Sequence, residues 1–305
     1  MSSGDKQLAG DLRTRLLAFG DDQALPGVGS EERRGALISQ LVESTHRVRY
    51  PVVMLNRNIS GNRCHPDSPM FDPLLAAIHM KSRGEIDESF WFLFLFIHFG
   101  KHRTGKWRYA AEVYRRSDSE RWSWAEVTRD PAGFRNWVLA NAAHIRRKGV
   151  PGGFGNHRKY ERLETTPDVV DSYLQWIGPN QSHADFFGQA VRDASGDRAK
   201  AFDSLYRSMG AVLRFGRTAR FDYLSMVGKL GLAPIEAGSP YLQDSTGPLI
   251  GARLLFCCNG RQLSNSELNE SAIRLAKGLG IGMQVLEDAL CNWQKSPETF
   301  KPFRG

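Results

Sequence analysis

The sequence predicts an all-α protein, and three observations carry that prediction. Helix start and stop residues recur along the chain, apolar residues return at helical spacing, and sustained apolar–polar alternation is almost absent. Asp72-Pro73 opens "DPLLAAIHMKSRG", with aspartate as N-cap, proline at the first helical position and Gly84 as the stop. Asp87 opens "DESFWFLFLFIHFG", which ends near Gly100 and is apolar enough to be expected as a buried central helix. Asp130-Pro131 opens "DPAGFRNWVLANAAHIRRKG", whose basic last turn before Gly149 suits the helix dipole. "TTPDVVDSYLQWIG" repeats the Thr-Pro start, and Ser264 and Glu267 stand at capping-box spacing. These signals imply roughly ten or more helices.

A chain of 305 residues has room for a sizeable core. It shows no internal repeat, low-complexity linker or heptad run. The one clear loop, 148–167, is rich in glycine and proline. It allows a single domain over 1–305 or two lobes, 1–150 and 165–305. Cys64, Cys257, Cys258 and Cys291 lack zinc spacing, so no metal is expected, and scattered thiols fit a reducing cytoplasm. The N-terminus has no apolar signal core, and the run "FWFLFLFIHFG" is too short to span a bilayer. No membrane, cofactor or obligate protein partner is expected.

Lys and Arg number 41 against 33 Asp and Glu, a surplus that favours an anionic partner such as nucleic acid. Basic residues and aromatics interleave over 98–124, with Lys101, Arg108 and Arg115 as candidate phosphate contacts and Tyr109 as a candidate base contact. Most of these aromatics are expected in the core. In the loop, His157, Arg158, Lys159 and Tyr160 are residue types that touch phosphate or bases. A solvated basic loop explains the second stretch equally well, and core tryptophans with a solvated cationic face are the alternative for the first.

"LPGVGS" at 25–30 resembles a DNA-binding hairpin, but no acid occurs between Glu43 and Asp67, so it reads as a loop ending in a Ser30 helix cap. "FGRTA" at 215–219 is better placed. Gly216 supplies the turn, and Arg217 and Arg220 stand near where a phosphate would lie. Asp222 follows inside the apolar helix of Phe221, Leu224, Val227 and Leu230, with Lys229 a further cation. Asp222 is either a salt-bridged acid or a catalytic one. Asp244 either caps "DSTGPLIGARLLF" or stands as the acid after a hairpin. In the tail "GMQVLEDALCNWQK", Glu287, Cys291 and Lys295 lie four apart, the spacing of one helical face, flanked by Asp288 and Trp293.

"FWFLFLFIHFGKHRTGKWRYAAEVYRR", "FGRTARFDYL", "GPLIGARLLF" and "LEDALCNWQK" occur in this order. Together they resemble the α-glutamyl/putrescinyl thymine pyrophosphorylase family, in its divergent third clade, over nearly the whole chain. Better-known branches of that family pair a glycine-aromatic turn and a helical Asp with a Gly-Pro-Gly loop and a terminal Glu…Leu-Cys-Glu…Lys. Here Asp222 takes the helix position, and Gly247-Pro248 is followed by Leu249. Glu287, Leu290, Cys291 and Lys295 keep the tail, with Asn292 where Glu is usual.

The resemblance implies an all-α, helix-hairpin-helix DNA-glycosylase-like fold and a link to phage DNA carrying hypermodified bases. The first expected activity is a DNA N-glycosylase that removes a flipped, modified base in antiphage defence. The alternatives are a pyrophosphorylase-type transferase that builds modified thymine and a protein that binds modified DNA without reacting. Asp222 is the first candidate acid, Asp244 the second and Glu287 the third. Arg217, Arg220 and Lys229 would hold phosphates. Tyr109, Tyr160, Tyr223, Trp293 and Lys295 are the candidate base-pocket residues.

Overall fold

The computed structural model describes residues 2–147, 149–257 and 262–303. Lys148 and Cys258 therefore lie outside the described residues. No strand occurs among the described residues, and the helices are α1 (Ser3–Asp22), α2 (Glu31–Leu55), α3 (Pro73–Ser82), α4 (Ile86–Phe99), α5 (Arg108–Tyr114), α6 (Trp124–Arg129), α7 (Pro131–Ile145), α8 (Thr166–Ile177), α9 (His183–Asp193), α10 (Arg198–Ser208), α11 (Arg217–Lys229), α12 (Gly247–Phe256), α13 (Asn265–Leu279) and α14 (Met283–Trp293). The all-α expectation holds. No helix among the described residues is long and apolar enough to cross a membrane.

Most of the start signals act as expected. The Asp72 carboxylate accepts from the backbone N–H groups of Leu74 and Leu75, and Asp130 accepts from Gly133 N. Ser264 and Glu267 form a reciprocal capping box, and Ser30 accepts from Arg33 N at the start of α2. Asp87 is different. Helix α4 begins one residue earlier, at Ile86, without a side-chain cap, and Asp87 accepts from His183 instead. His183 is the first residue of α9, so its N–H has no partner within that helix. Asp87 supplies one.

The chain groups into two compact units, Pro51–Glu236 and a pair of terminal segments, Met1–Tyr50 with Ala237–Arg304. The loop 148–167 lies inside the first. There α4 is the centre, with Phe90, Trp91, Phe92, Leu93 and Phe94 fully buried on every side of the helix. Helices α3, α5, α6, α9 and α11 pack against it. Trp107, Tyr109, Tyr114, Trp122 and Trp124 are all buried, so every aromatic of the 98–124 stretch belongs to the core.

The terminal unit has its own leucine-rich core, built by Leu37, Leu41, Leu255, Leu275, Leu286 and Leu290. Two motif glycines are packing devices. A Cβ on Gly251 would stand 2.4 Å from Leu290 O, and one on Gly247 2.8 Å from Cys291 Sγ. Helix α12 therefore approaches α14 at backbone distance through "GPLIG", while Leu249 is buried in the same core.

Glu88 near the start of α4 accepts from Tyr114 OH at 2.8 Å and Trp124 N at 2.7 Å. Loss of solvent pushes its carboxyl from 4.5 up to about 7, against the pull of both hydrogen bonds. The folded chain thus keeps a proton that the unfolded chain releases above about 4.5, and the stability this group contributes is lost as pH rises through about 7. Glu88→Gln should gain stability relative to the parent between pH 5 and pH 8, read as a change in the difference of urea midpoints. A pH-independent difference would refute it.

Candidate active site

The chain enters α11 through a tight turn. Arg214 adopts φ 61°, a left-handed conformation that few non-glycine residues hold. Phe215 is buried and stacks on Phe94 of α4 at 5.3 Å. Gly216 follows in extended conformation, and no side chain caps α11. Arg217 is 8% exposed with its guanidinium 4.8 Å over the Phe221 ring. Arg220 faces α10, over the Tyr206 ring and donating to Tyr206 O at 3.2 Å. Asp222 is half-buried. Spacings of three, four and seven put Ser225, Met226 and Lys229 on its face of the helix.

The next residue, Tyr223, ends a buried ladder of hydrogen bonds. Tyr223 OH meets Tyr173 OH at 2.5 Å, Tyr173 OH meets His183 Nε2 at 2.8 Å, and His183 Nδ1 meets Asp87 Oδ1 at 2.8 Å. His183 N also donates to Asp87 Oδ1 at 2.8 Å. The proton count allows one arrangement. An ionised carboxylate only accepts, so His183 Nδ1 carries the proton and Nε2 accepts from Tyr173. The Tyr173 oxygen then accepts from Tyr223. Burial lowers the His183 pKa, although Asp87 opposes it, and burial raises both tyrosines. Burial pushes the Asp87 carboxyl up, but its bonds from His183 outweigh that and leave it lowered. The ladder joins α4, α9, α8 and α11. Its members Asp87, Tyr173 and His183 carry no spacing signal in the sequence, because they meet only in the folded chain. The Tyr223 ring is fully buried within it.

The loop 148–167 is packed by glycines. A Cβ on Gly155 would stand 2.7 Å from Gly100 C, and one on Gly105 2.5 Å from Gly152 Cα. Arg158 donates to His98 O at 3.1 Å and Arg214 O at 2.9 Å, tying the loop to the end of α4 and to the turn before α11. Arg108 donates to the carbonyls of Ile145, Val150 and Pro151. Arg115 pairs with Asp67 at 2.7 Å. Tyr109 is buried under Arg108. Lys101, His157 and Lys159 are exposed, and Tyr160 is 78% exposed with Lys159 Nζ 5.0 Å over its ring.

Asp222 belongs to the unit Pro51–Glu236, whereas Asp244 and Glu287 belong to the terminal unit. Asp244 is exposed at the end of a single 3-10 turn, Leu242–Asp244. It does not cap α12, which starts at Gly247 after Thr246, because Ser245 first closes the turn onto Leu242 O. Glu287 is half-buried, with Cys291 one turn further along α14. Lys295 leaves that helical face, since α14 stops at Trp293, and its Nζ donates to Asn292 Oδ1 at 3.0 Å. Trp293 is buried and donates to Pro297 O. Asp288 is occupied by Arg47 of α2 at 2.6 Å.

A family model described as alpha-glutamyl/putrescinyl thymine pyrophosphorylase clade 3 matches residues 32–305. No curated protein and no solved structure matches the chain.

The ladder makes a graded prediction. Tyr173→Phe leaves His183 Nε2 without a donor and the Tyr223 hydroxyl without an acceptor, and should cost about 2–4 kcal/mol. Tyr223→Phe removes only the terminal donor and should cost about 1 kcal/mol. Urea denaturation of both variants checks this, and equal losses would contradict the assigned donor directions.

Proposed function

Because the chain belongs to the alpha-glutamyl/putrescinyl thymine pyrophosphorylase family, clade 3, we propose that it is an enzyme acting on a hypermodified thymine base in DNA. The reaction assigned is cleavage of the N-glycosidic bond, leaving an abasic site, and the role that follows is removal of modified bases from phage DNA. Asp222 carries this reading. It is a half-buried carboxylate on a helix that buries Phe221, Tyr223, Leu224 and Val227 and whose start is basic and without a side-chain cap.

Bond cleavage leaves positive charge on the sugar. A carboxylate near the anomeric carbon stabilises that charge and orients or deprotonates the attacking water. The base must leave the stack to reach such a group. Arg217, Arg220 and Lys229 are assigned to the DNA phosphates, with the α10–turn–α11 segment in the part of a phosphate-holding hairpin. The exposed Tyr160 and Lys159 suit stacking and charge contact with an unpaired strand. Asp244 and Glu287 remain the second and third candidate acids.

A second reading is favoured by the family description itself. A pyrophosphorylated thymine would be attacked by an amine, forming a C–N bond and expelling pyrophosphate. The basic start of α11 suits that leaving group, and Asp222 would take the amine proton.

One assay separates them. The protein is incubated with DNA carrying modified thymines or glucosylated hydroxymethylcytosine, and with plain DNA, and products are resolved by chromatography. Free base and abasic sites from modified DNA alone support the glycosylase. Pyrophosphate release that depends on an added amine supports the transferase. Asp222→Asn should slow whichever reaction is seen by about 100-fold or more. A folded variant with full activity would remove Asp222 from catalysis.

A further inference from the structure

An open cavity of about 540 Å³ lies between the segment after α2 and the end of α3, away from Asp222. Asn56, Arg57, Asn58, Lys81 and Ser82 line it, with Leu55, Ile59 and Ile78 as its apolar wall. No carboxylate lines it. Among the described residues, neither Arg57 nor Lys81 forms an ion pair, although most other arginines of this unit do or bind carbonyls. Nor do the carboxamides of Asn56 and Asn58 bond to protein there.

The walls are nevertheless held in place. His79 Nδ1 binds Ile59 O at 2.7 Å, and Ser82 Oγ donates to His79 O at 2.7 Å. Since Ser82 spends its proton on that carbonyl, its oxygen still has lone pairs to accept with. The two cations stand where α2 and α3 end, and helix C-termini favour positive charge. This favours both cations although no acid pairs with either among the described residues.

We propose that this cavity binds a nucleotide through its phosphate. Arg57 and Lys81 take the phosphate oxygens. The Asn56 and Asn58 carboxamides, each both donor and acceptor, take polar edges of the sugar or base. Leu55, Ile59 and Ile78 cover one apolar face. A carboxylate-free, donor-rich lining selects an anion that also offers acceptors, and the volume admits a unit of nucleotide size. The occupant is either a free nucleotide or a nucleotide of the DNA strand. A Cβ on Gly231 would lie 3.1 Å from Lys81 Nζ, so Lys81 sits at the C-terminal end of α11. Asp222 is about 10–13 Å back along that helix, from the rise per residue. The site is therefore separate from the assigned acid and does not depend on which reaction occurs there.

The test is calorimetric titration of the full-length protein with dTMP, with thymidine and with a short oligothymidylate. The variants are Arg57→Gln/Lys81→Gln and a control of equal charge loss, Arg198→Gln/Lys200→Gln. The pocket variant should lose about ten-fold or more in affinity for dTMP, for the oligonucleotide, or for both, while the control binds as the parent does. Loss confined to the oligonucleotide identifies a strand nucleotide, and loss for dTMP identifies a free one. Thymidine binding as tightly as dTMP overturns the proposal. So does a pocket variant that loses no more affinity than the control. Neither result bears on base release or pyrophosphate release, so this proposal and the assigned reaction fail separately.

Discussion

The Asp87–His183–Tyr173–Tyr223 ladder is the constraint around which the central unit is arranged. Each member is buried or half-buried, and a buried polar group without a partner costs free energy comparable to a lost hydrogen bond. The low local dielectric strengthens each bond and punishes each omission. Four helices must therefore keep their relative rotation for the ladder to close. The apolar surroundings reinforce the geometry, since Phe90 stacks on the His183 ring at 4.6 Å and Trp124 packs against the same ring at 4.3 Å. Helix α11 inherits its rotation from Tyr223, and Asp222 is the adjacent residue. The catalytic role proposed for Asp222 needs a helix that does not turn, and the ladder holds α11 through Tyr223, the neighbouring residue.

The basic surplus of the chain is divided in the same way. Several arginines in the 98–167 region are turned inward to structural work. Arg108 and Arg158 hold carbonyls of loop backbone, and Arg115, Arg116 and Arg121 pair with Asp67, Glu120 and Glu126. The planar guanidinium with its several donors suits such bridging. The lysines Lys101, Lys106 and Lys159 stay exposed. The cations left to meet an anion are thus fewer than the net charge suggests. They include the lysines of the exposed loop edge and Arg57 and Lys81 of the cavity.

The family motifs also separate by role once folded. "GPLIGARLLF" and "LEDALCNWQK" meet where α12 crosses α14, and their Gly247, Gly251, Leu290 and Cys291 are the residues of that close approach. Leu249, in the place of a second glycine, fills the core beside them. Much of what looks like a reactive signature in these segments is therefore packing, which leaves Glu287 as the chemically distinct residue of the pair.

Local order along the chain was enough to set the helical class and the starts of several helices. Asp72, Asp130, Ser30 and the Ser264–Glu267 box each act on backbone groups two or three residues away, so their meaning is readable without a fold. The same holds for α4, whose apolar composition has no surface solution. Asp87 looked like one more cap and was not, because its partner His183 is 96 residues distant. Tyr173 and Tyr223 meet across 50 residues, and Lys81 reaches Gly231 across a longer interval still. No periodicity encodes such pairs. Their geometry arises only when packing has brought the helices together, and with it the orientation of Asp222, the inward arginines and the cavity between α2 and α3.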